Sequence, residues 1–190
     1  MTKQLDVWQS QFGVDWTDRT EVKPDSRVGA FRDILSHLPV KSILEVGCNT
    51  GYNLIALSRI GNYKLVGIDP QIYATKQAME CGLECSVADC FNLPYLNASF
   101  DLVFTVGVLM HVTPVDMPRA VKELCRVSNR YVLVIEYFSP GEISLPWHGH
   151  TDLLWKRDYG KSFADSTCIE EGFLGRNRGF DNCTYWLFER

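Results

Sequence analysis

Several things are missing from this 190-residue chain, and each absence narrows what it can be. No apolar run approaches the roughly 20 residues that cross a bilayer, so no membrane partner is expected. The opening residues, from Met1 to Gly13, hold no apolar leader segment, and a cytoplasmic protein is expected. Charge of one sign is nowhere concentrated: 19 Lys and Arg stand against 23 Asp and Glu, for a net charge of −4. A chain without a basic stripe lacks the electrostatic footprint of a nucleic-acid binder, so no nucleic-acid partner is expected. The seven cysteines contain no Cys-x-x-Cys pair, which removes the tight ligand spacing of a structural zinc site. Cys81, Cys85 and Cys90 are read as reduced thiols acting as small hydrophobes, and no metal is expected. Repeats and low-complexity stretches are absent too. The remainder is ordinary for a soluble globular chain, 46% hydrophobic and 22% charged, and the length fits a single domain over residues 1–190.

What is present centres on the run Ser42 to Gly51, SILEVGCNTG. Ile43 to Val46 read as a buried strand containing the acidic Glu45, Gly47 and Gly51 supply a turn, and Tyr52 to Ser58 begin a helical pattern. Strand, glycine turn and helix bring backbone close to a nucleotide-like ligand at a strand's carboxyl end. The next apolar run, Leu65 to Ile68, ends in Asp69, about 20 residues past the turn, where an acid that binds ribose is expected. The dinucleotide fingerprint is incomplete, because Asn49 stands where its second glycine belongs. A side chain there obstructs a pyrophosphate. The turn therefore suits a nucleoside without one, and S-adenosylmethionine is the candidate.

Beyond the turn, elements alternate. Strands are predicted over Ser42–Val46, Lys64–Ile68, Glu84–Ala88, Phe100–Thr105 and Arg130–Glu136, with helices over Tyr52–Arg59, Gln71–Met79 and Pro114–Val127. This is the pattern of a parallel sheet with helices on both faces. Ser26–Leu38 carries a helical stripe of Val28, Phe31, Ile34, Leu35 and Leu38, ended by Pro39. Residues 1–24 read as a lid: one short amphipathic helix with Leu5, Val7, Trp8 and Phe12, then a polar passage through Pro24. Cys168–Gly175 and Cys183–Glu189 read as two final strands joined by a turn too short for a helical crossover, hence antiparallel. The expected fold is a doubly wound, Rossmann-like α/β sheet of about seven strands, five parallel plus a C-terminal antiparallel hairpin.

These segments resemble the class I S-adenosylmethionine-dependent methyltransferases across nearly the whole chain. The segments that carry the resemblance are Glu45-Val-Gly-Cys-Asn-Thr-Gly51, Gly67-Ile-Asp69, Ala88-Asp89-Cys90 and Ser99-Phe-Asp-Leu-Val103 with Val108-Leu-Met-His-Val112. A narrower resemblance joins Glu136-Tyr-Phe-Ser-Pro140, Leu145-Pro-Trp-His-Gly-His150, Leu154-Trp-Lys-Arg-Asp158, Phe12-Gly13, Arg19 and Trp186-Leu-Phe-Glu189. Together they are similar to the small methylases associated with pseudaminic acid biosynthesis, whose members have a tyrosine and an arginine where this chain has Trp147 and His148.

The cofactor site expected from the turn and the resemblance comprises Glu45, Gly47, Cys48, Asn49, Gly51, Asp69, Pro70, Asp89, Cys90, Phe91, Thr105, Val106 and Gly107, with Arg19 reaching the methionine carboxylate. Asp69 takes the ribose hydroxyls, and by resemblance Asp89 takes the adenine amino group between Cys90 and Phe91. His111, just past the fourth strand, and Glu136 and Tyr137, at the end of the fifth, are the candidate catalytic groups. The connection over residues 139–161 is expected to recognise the acceptor through Trp147, His148, His150, Lys156 and Arg157, cationic groups suited to an anionic moiety. The expected activity is methyl transfer to N or O of a small polar metabolite such as an amino-sugar or sugar nucleotide, yielding S-adenosylhomocysteine. A nucleotide-dependent oxidoreductase or epimerase, and a non-catalytic S-adenosylmethionine-binding protein, are the alternatives.

Overall fold

The computed structural model describes residues 2–190. It opens with two helices where the pattern predicts one. In α1 (Lys3–Gln9) the Thr2 hydroxyl accepts from Leu5 N–H, and in α2 (Gln11–Arg19) the Ser10 hydroxyl accepts from Phe12 N–H. Ser10 thus ends one helix and caps the next, and the polar Asp15 and Asp18 lie on the exposed face of α2 rather than in a loop. The third helix, α3 (Asp25–Leu35), buries Phe31, Ile34 and Leu35 of its predicted stripe, and Ala30 beside them.

The alternation then follows as expected: β1 (Ser42–Val46), α4 (Tyr52–Ser58), β2 (Lys64–Asp69), α5 (Ile72–Glu80), β3 (Glu84–Val87), β4 (Phe100–Val106), α6 (Met117–Val127) and β5 (Ser128–Glu136). Two strands, β8 (Thr167–Leu174) and β9 (Cys183–Glu189), close the chain. The sheet order is β3-β2-β1-β4-β5-β9-β8, with β1 to β5 parallel and β9 antiparallel to both β5 and β8. Helices cover both faces, so the central strands are apolar on both sides. Leu44, Val46, Val103, Val132 and Val134 pack toward α6 on one face, and Ile43, Leu102, Phe104, Leu133 and Ile135 toward α3 and α4 on the other. The chain reverses its winding between β1 and β4, and at such a point the strand ends splay to leave a crevice.

The segment expected as an irregular connection over 139–161 contains a second, two-stranded sheet, β6 (Ile143–Trp147) and β7 (His150–Lys156). Its turn is His148 and Gly149, both left-handed at φ +47° and +84°, the two-residue geometry that matches strand twist. The sequence concealed it: a histidine replaces the usual Asn or Asp, and Pro146 sits where the pairing register shifts. The hairpin is tied to the N-terminal helices, since Lys3 Nζ lies 2.8 Å from Asp152 and Gln4 Nε2 donates to the Asp152 carbonyl. Among the described residues, no helix is long and apolar enough to cross a membrane.

Candidate functional site

The crevice holds a cavity of about 270 Å³, floored by the carboxyl ends of the central strands and roofed by α1 and α2. Its floor begins with the glycine turn. Gly47 at φ +79° lets its own N–H and that of Cys48 both donate to the Ile68 carbonyl, at 2.8 and 2.9 Å. A Cβ on Gly47 would fall 2.3 Å from Val108 Cγ2, and one on Gly51 2.1 Å from Leu83 Cδ1, so both positions require glycine. Gly51 therefore shapes the turn from behind and is not in the cavity wall, whereas Gly47, Cys48 and Asn49 are.

Asp69 joins two loops. Its Oδ2 accepts from Asn49 N–H at 2.9 Å and its Oδ1 from Gln71 N–H at 2.8 Å, leaving a lone pair on each oxygen for two adjacent hydroxyls. Burial pushes its carboxyl up to about 6, against these two bonds. Pro70 lines the cavity beside it. At the far end, Asp89 Oδ1 accepts from Phe91 N–H at 2.8 Å, and Cys90 and Phe91 are buried wall residues. The Arg119 guanidinium covers the Phe91 ring at 5.2 Å, a neighbour the sequence did not single out.

The opposite end of the turn holds a charged triad on β1, α3 and α4. Glu45 Oε1 accepts from Asn53 Nδ2 at 2.6 Å, and Asn53 Oδ1 accepts from Arg27 Nη1 at 2.6 Å. Arg27 Nε donates to the Gly179 carbonyl and stacks on Phe180, at 4.5 Å to the ring centroid. Two groups of this triad are unspent among the described residues: the buried Glu45 Oε2, which has no hydrogen-bond partner, and Arg27 Nη2. Glu45 and Arg27 both line the cavity, and burial pushes the Glu45 carboxyl up to about 8. An unpartnered carboxyl oxygen, ionised once an ammonium lies against it, and an open guanidinium N–H pair are the two halves needed to hold an α-amino acid zwitterion. Arg19, expected in this role, instead lies exposed over the rings of Phe12 (5.5 Å) and Trp16 (4.7 Å), outside the cavity wall. Arg27 was missed because only the packing of α3 on α4 brings it to the turn; nothing in its local pattern distinguishes it.

The candidate catalytic groups separate. Glu136 is fully buried and absent from the wall. Its carboxylate accepts from the N–H groups of Val108, Leu109 and Met110, at 2.9, 2.9 and 3.2 Å, and from the Thr105 hydroxyl. Glu136 and Thr105 thereby set the 3-10 turn Leu109–His111 instead of meeting a ligand, while Val106 and Gly107 do line the cavity. Burial pushes the Glu136 carboxyl up to about 7. His111, at the end of that turn, is in the wall, with Nδ1 2.6 Å from the Leu153 carbonyl. A carbonyl only accepts, so Nδ1 carries the proton and Nε2 keeps its lone pair. Burial lowers His111 to about 4, and the ring is neutral at pH 7. Tyr137 also lines the cavity, donating its hydroxyl to Asp181 Oδ2 at 2.7 Å, and Asp181 is a wall residue that the sequence did not suggest.

The hairpin residues do not enter the cavity wall. Trp147, His148 and His150 instead interlock with the lid: Trp147 lies 4.8 Å from Trp16 and 5.9 Å from Trp8, and His150 5.2 Å from Phe12. His111 is wedged between Trp8 and Trp147, 4.8 Å from each. Lys156 sits over the Tyr137 ring at 5.0 Å. Arg157 is buried and turned inward, donating Nη1 and Nη2 to the Val112 carbonyl with Nε 3.0 Å from Glu142, so it pins the hairpin base rather than facing an acceptor.

Residues 43–130 match the family model of a methyltransferase domain. The chain is 36% identical over 90 residues, 44% of its length, to a tRNA U34 carboxymethyltransferase of Campylobacter hominis, covering 31% of that protein. It is 30% identical over 123 residues, 60% of its length, to a phosphoethanolamine N-methyltransferase of Triticum aestivum, covering 24% of that protein. The chain thus spans less than half the length of these curated relatives. In fold it is similar to the 1,6-didemethyltoxoflavin-N1-methyltransferase of Burkholderia thailandensis, solved with bound 1,6-didemethyltoxoflavin and S-adenosylhomocysteine. The TM-score is 0.72 at 15% identity, over 98% of this chain and 86% of that one.

Proposed function

We propose that the protein is a class I S-adenosylmethionine-dependent methyltransferase, a reading supported by the methyltransferase-domain model that residues 43–130 match, and that it transfers a methyl group to N or O of a small polar metabolite. The observation that carries the reading is one continuous cavity joining Asp69 and the glycine turn to His111, Tyr137 and Asp181. The interlocked lid and hairpin above it favour a small acceptor over a macromolecular one.

The residues present fit the cofactor. Asp69 would accept both ribose hydroxyls, Asp89 the adenine amino group beside Cys90 and Phe91, and the unspent Glu45 Oε2 and Arg27 Nη2 the α-ammonium and carboxylate. When bound, S-adenosylmethionine supplies a sulfonium methyl open to displacement by a nucleophile. Holding acceptor and methyl in line at about 3 Å is most of what the protein must do. His111, neutral and protonated on Nδ1, can take the acceptor's proton on Nε2. Tyr137 and Asp181 are the wall groups that would orient the acceptor. An amino-sugar or sugar nucleotide suits such polar groups and agrees with the resemblance to the pseudaminic acid-associated methylases.

The name of the Campylobacter relative favours a second reading, in which the acceptor is tRNA. The net charge of −4 without a basic stripe weighs against it. The two separate on one experiment: S-adenosylhomocysteine release is followed with a small-metabolite fraction, or with unmodified tRNA, as acceptor. Release with the metabolite fraction alone is the expected result. Release with tRNA alone would replace the reading.

A further inference from the structure

Two thiols meet beneath the cofactor turn. Cys48 Sγ, in the cavity wall, lies 4.0 Å from Cys85 Sγ on β3, although β2 separates their backbones. The contact exists because Gly67 of β2 has no side chain: a Cβ there would stand 2.7 Å from Cys48 Sγ and 2.9 Å from Cys85 Sγ. The thiols close over bare backbone.

Their surroundings differ in a useful way. Cys48 is buried, while Cys85 is half-buried on a four-residue edge strand, and among the described residues β3 has no strand on its other side. Small oxidants therefore reach Cys85 first. The hydrogen bond from Cys48 also holds the Cys85 thiol below its ordinary range and raises that of Cys48, so the more accessible sulfur is the better nucleophile. Of the seven cysteines, no other pair is in such contact among the described residues.

We propose that Cys48 and Cys85 form a reversible disulfide under peroxide, and that this oxidation disables the cofactor site. The Cys85 thiolate attacks hydrogen peroxide, forming a sulfenic acid and releasing hydroxide, which takes up a proton to leave as water. The Cys48 thiol then attacks the sulfenic sulfur, expelling a second water and leaving the disulfide. Two thiols are oxidised and one peroxide is reduced. Closing the sulfurs from 4.0 Å to a bond of about 2.05 Å draws the turn toward β3. The turn contains Gly47 and Asn49, and Asn49 N–H is one of the two donors that orient Asp69. A shift of Cys48 thus reaches Asp69, the ribose acceptor, through the neighbouring Asn49. The regulatory consequence rests on the methyltransferase reading; formation of the bond does not.

The full-length protein, reduced and then treated with hydrogen peroxide, is digested without reductant for mass spectrometry, and S-adenosylhomocysteine binding is titrated in parallel. A peptide linking Cys48 to Cys85 is expected, with affinity reduced about tenfold or more and restored by dithiothreitol. Cys85→Ser should bind S-adenosylhomocysteine like the reduced parent and keep that affinity after peroxide. A missing linked peptide, a Cys85→Ser protein that loses affinity equally, or a disulfide that leaves affinity unchanged would overturn the proposal. If the reduced protein does not bind S-adenosylhomocysteine at all, the methyltransferase reading and the regulatory claim fall together, and the linked peptide still decides the bond.

Discussion

Under the proposed function Asp69 and Arg27 hold the cofactor and His111 takes part in the reaction, and single substitutions separate the two roles. Asp69→Ala removes two charge-assisted hydrogen bonds to the ribose, each about 1.5–3 kcal/mol, so S-adenosylhomocysteine affinity should fall at least about 100-fold. Calorimetric titration reads this, with circular dichroism to establish that the variant is folded; unchanged affinity would take Asp69 away from the ribose. Arg27→Ala should weaken S-adenosylhomocysteine by about 10- to 100-fold, while Arg19→Ala, on the outside of the lid, should alter it by no more than a few-fold. The opposite ranking would return the carboxylate to Arg19. His111→Ala should lower turnover by about 10²–10⁴-fold with cofactor affinity nearly intact. Equal losses in both would make His111 a packing residue between Trp8 and Trp147. Because burial holds His111 near 4, its protonation should cause no fall in rate around pH 6.5.

Two elements give the site its shape, and each depends on backbone that few residues tolerate or on rings from distant segments. At the turn, Gly47→Ala combines a left-handed φ of +79° with a Cβ driven into Val108. It should cost about 1–3 kcal/mol in denaturant unfolding and weaken S-adenosylhomocysteine binding as well, since the turn must shift to fit. Above the cavity, Trp147 joins the hairpin tip to Trp8, Phe12 and Trp16 of the lid. Aromatic pairs contribute about 0.5–1.5 kcal/mol each, enough to hold a lid shut without locking it. Trp147→Ala is expected to speed S-adenosylhomocysteine release by about tenfold in stopped-flow fluorescence. An unchanged release rate would mean that the rings pack without gating.

At the scale of the whole molecule, the buried carboxylates Glu45 and Glu136 and the partly buried Asp69 give the unliganded protein an unusual dependence on pH. Asp69, Glu136 and Glu45 are raised by burial to about 6, 7 and 8. A raised carboxylate binds its proton more tightly folded than unfolded, so the stability it contributes is present at low pH and lost as pH rises through the folded value. His111 acts in the other direction, adding stability as pH rises from about 4 to 6.5. Above pH 6.5 only the carboxylates count, and melting temperature should decline toward about pH 8. Glu45→Gln should flatten the upper part of that decline. A parent curve already flat from about pH 6.5 to 8.5 would show that Glu45 is ionised throughout the range.

The order of elements and the floor of the site were legible from the sequence, and the reason is local. Buried parallel strands need continuous apolar runs, covering helices need a 3.6-residue stripe, and the turn needs Gly47 and Gly51 where its backbone is left-handed. Those demands fall on neighbouring residues, so Ser42–Val46 and Asp69 could be placed without knowing what packs against them, while Asp89 came from the family resemblance. The tertiary structure decided everything that depends on distant segments meeting. It put Arg27 and not Arg19 in the cavity wall, turned Arg157 inward, and spent Glu136 and Thr105 on the turn before His111. It also folded residues 143–156 into a hairpin whose turn lacks the usual dipeptide, and brought Cys48 to Cys85 over Gly67. A side chain's type fixes which bonds it can make, but only the packing of α3 on α4, or of β3 beside β2, fixes which partner is within reach.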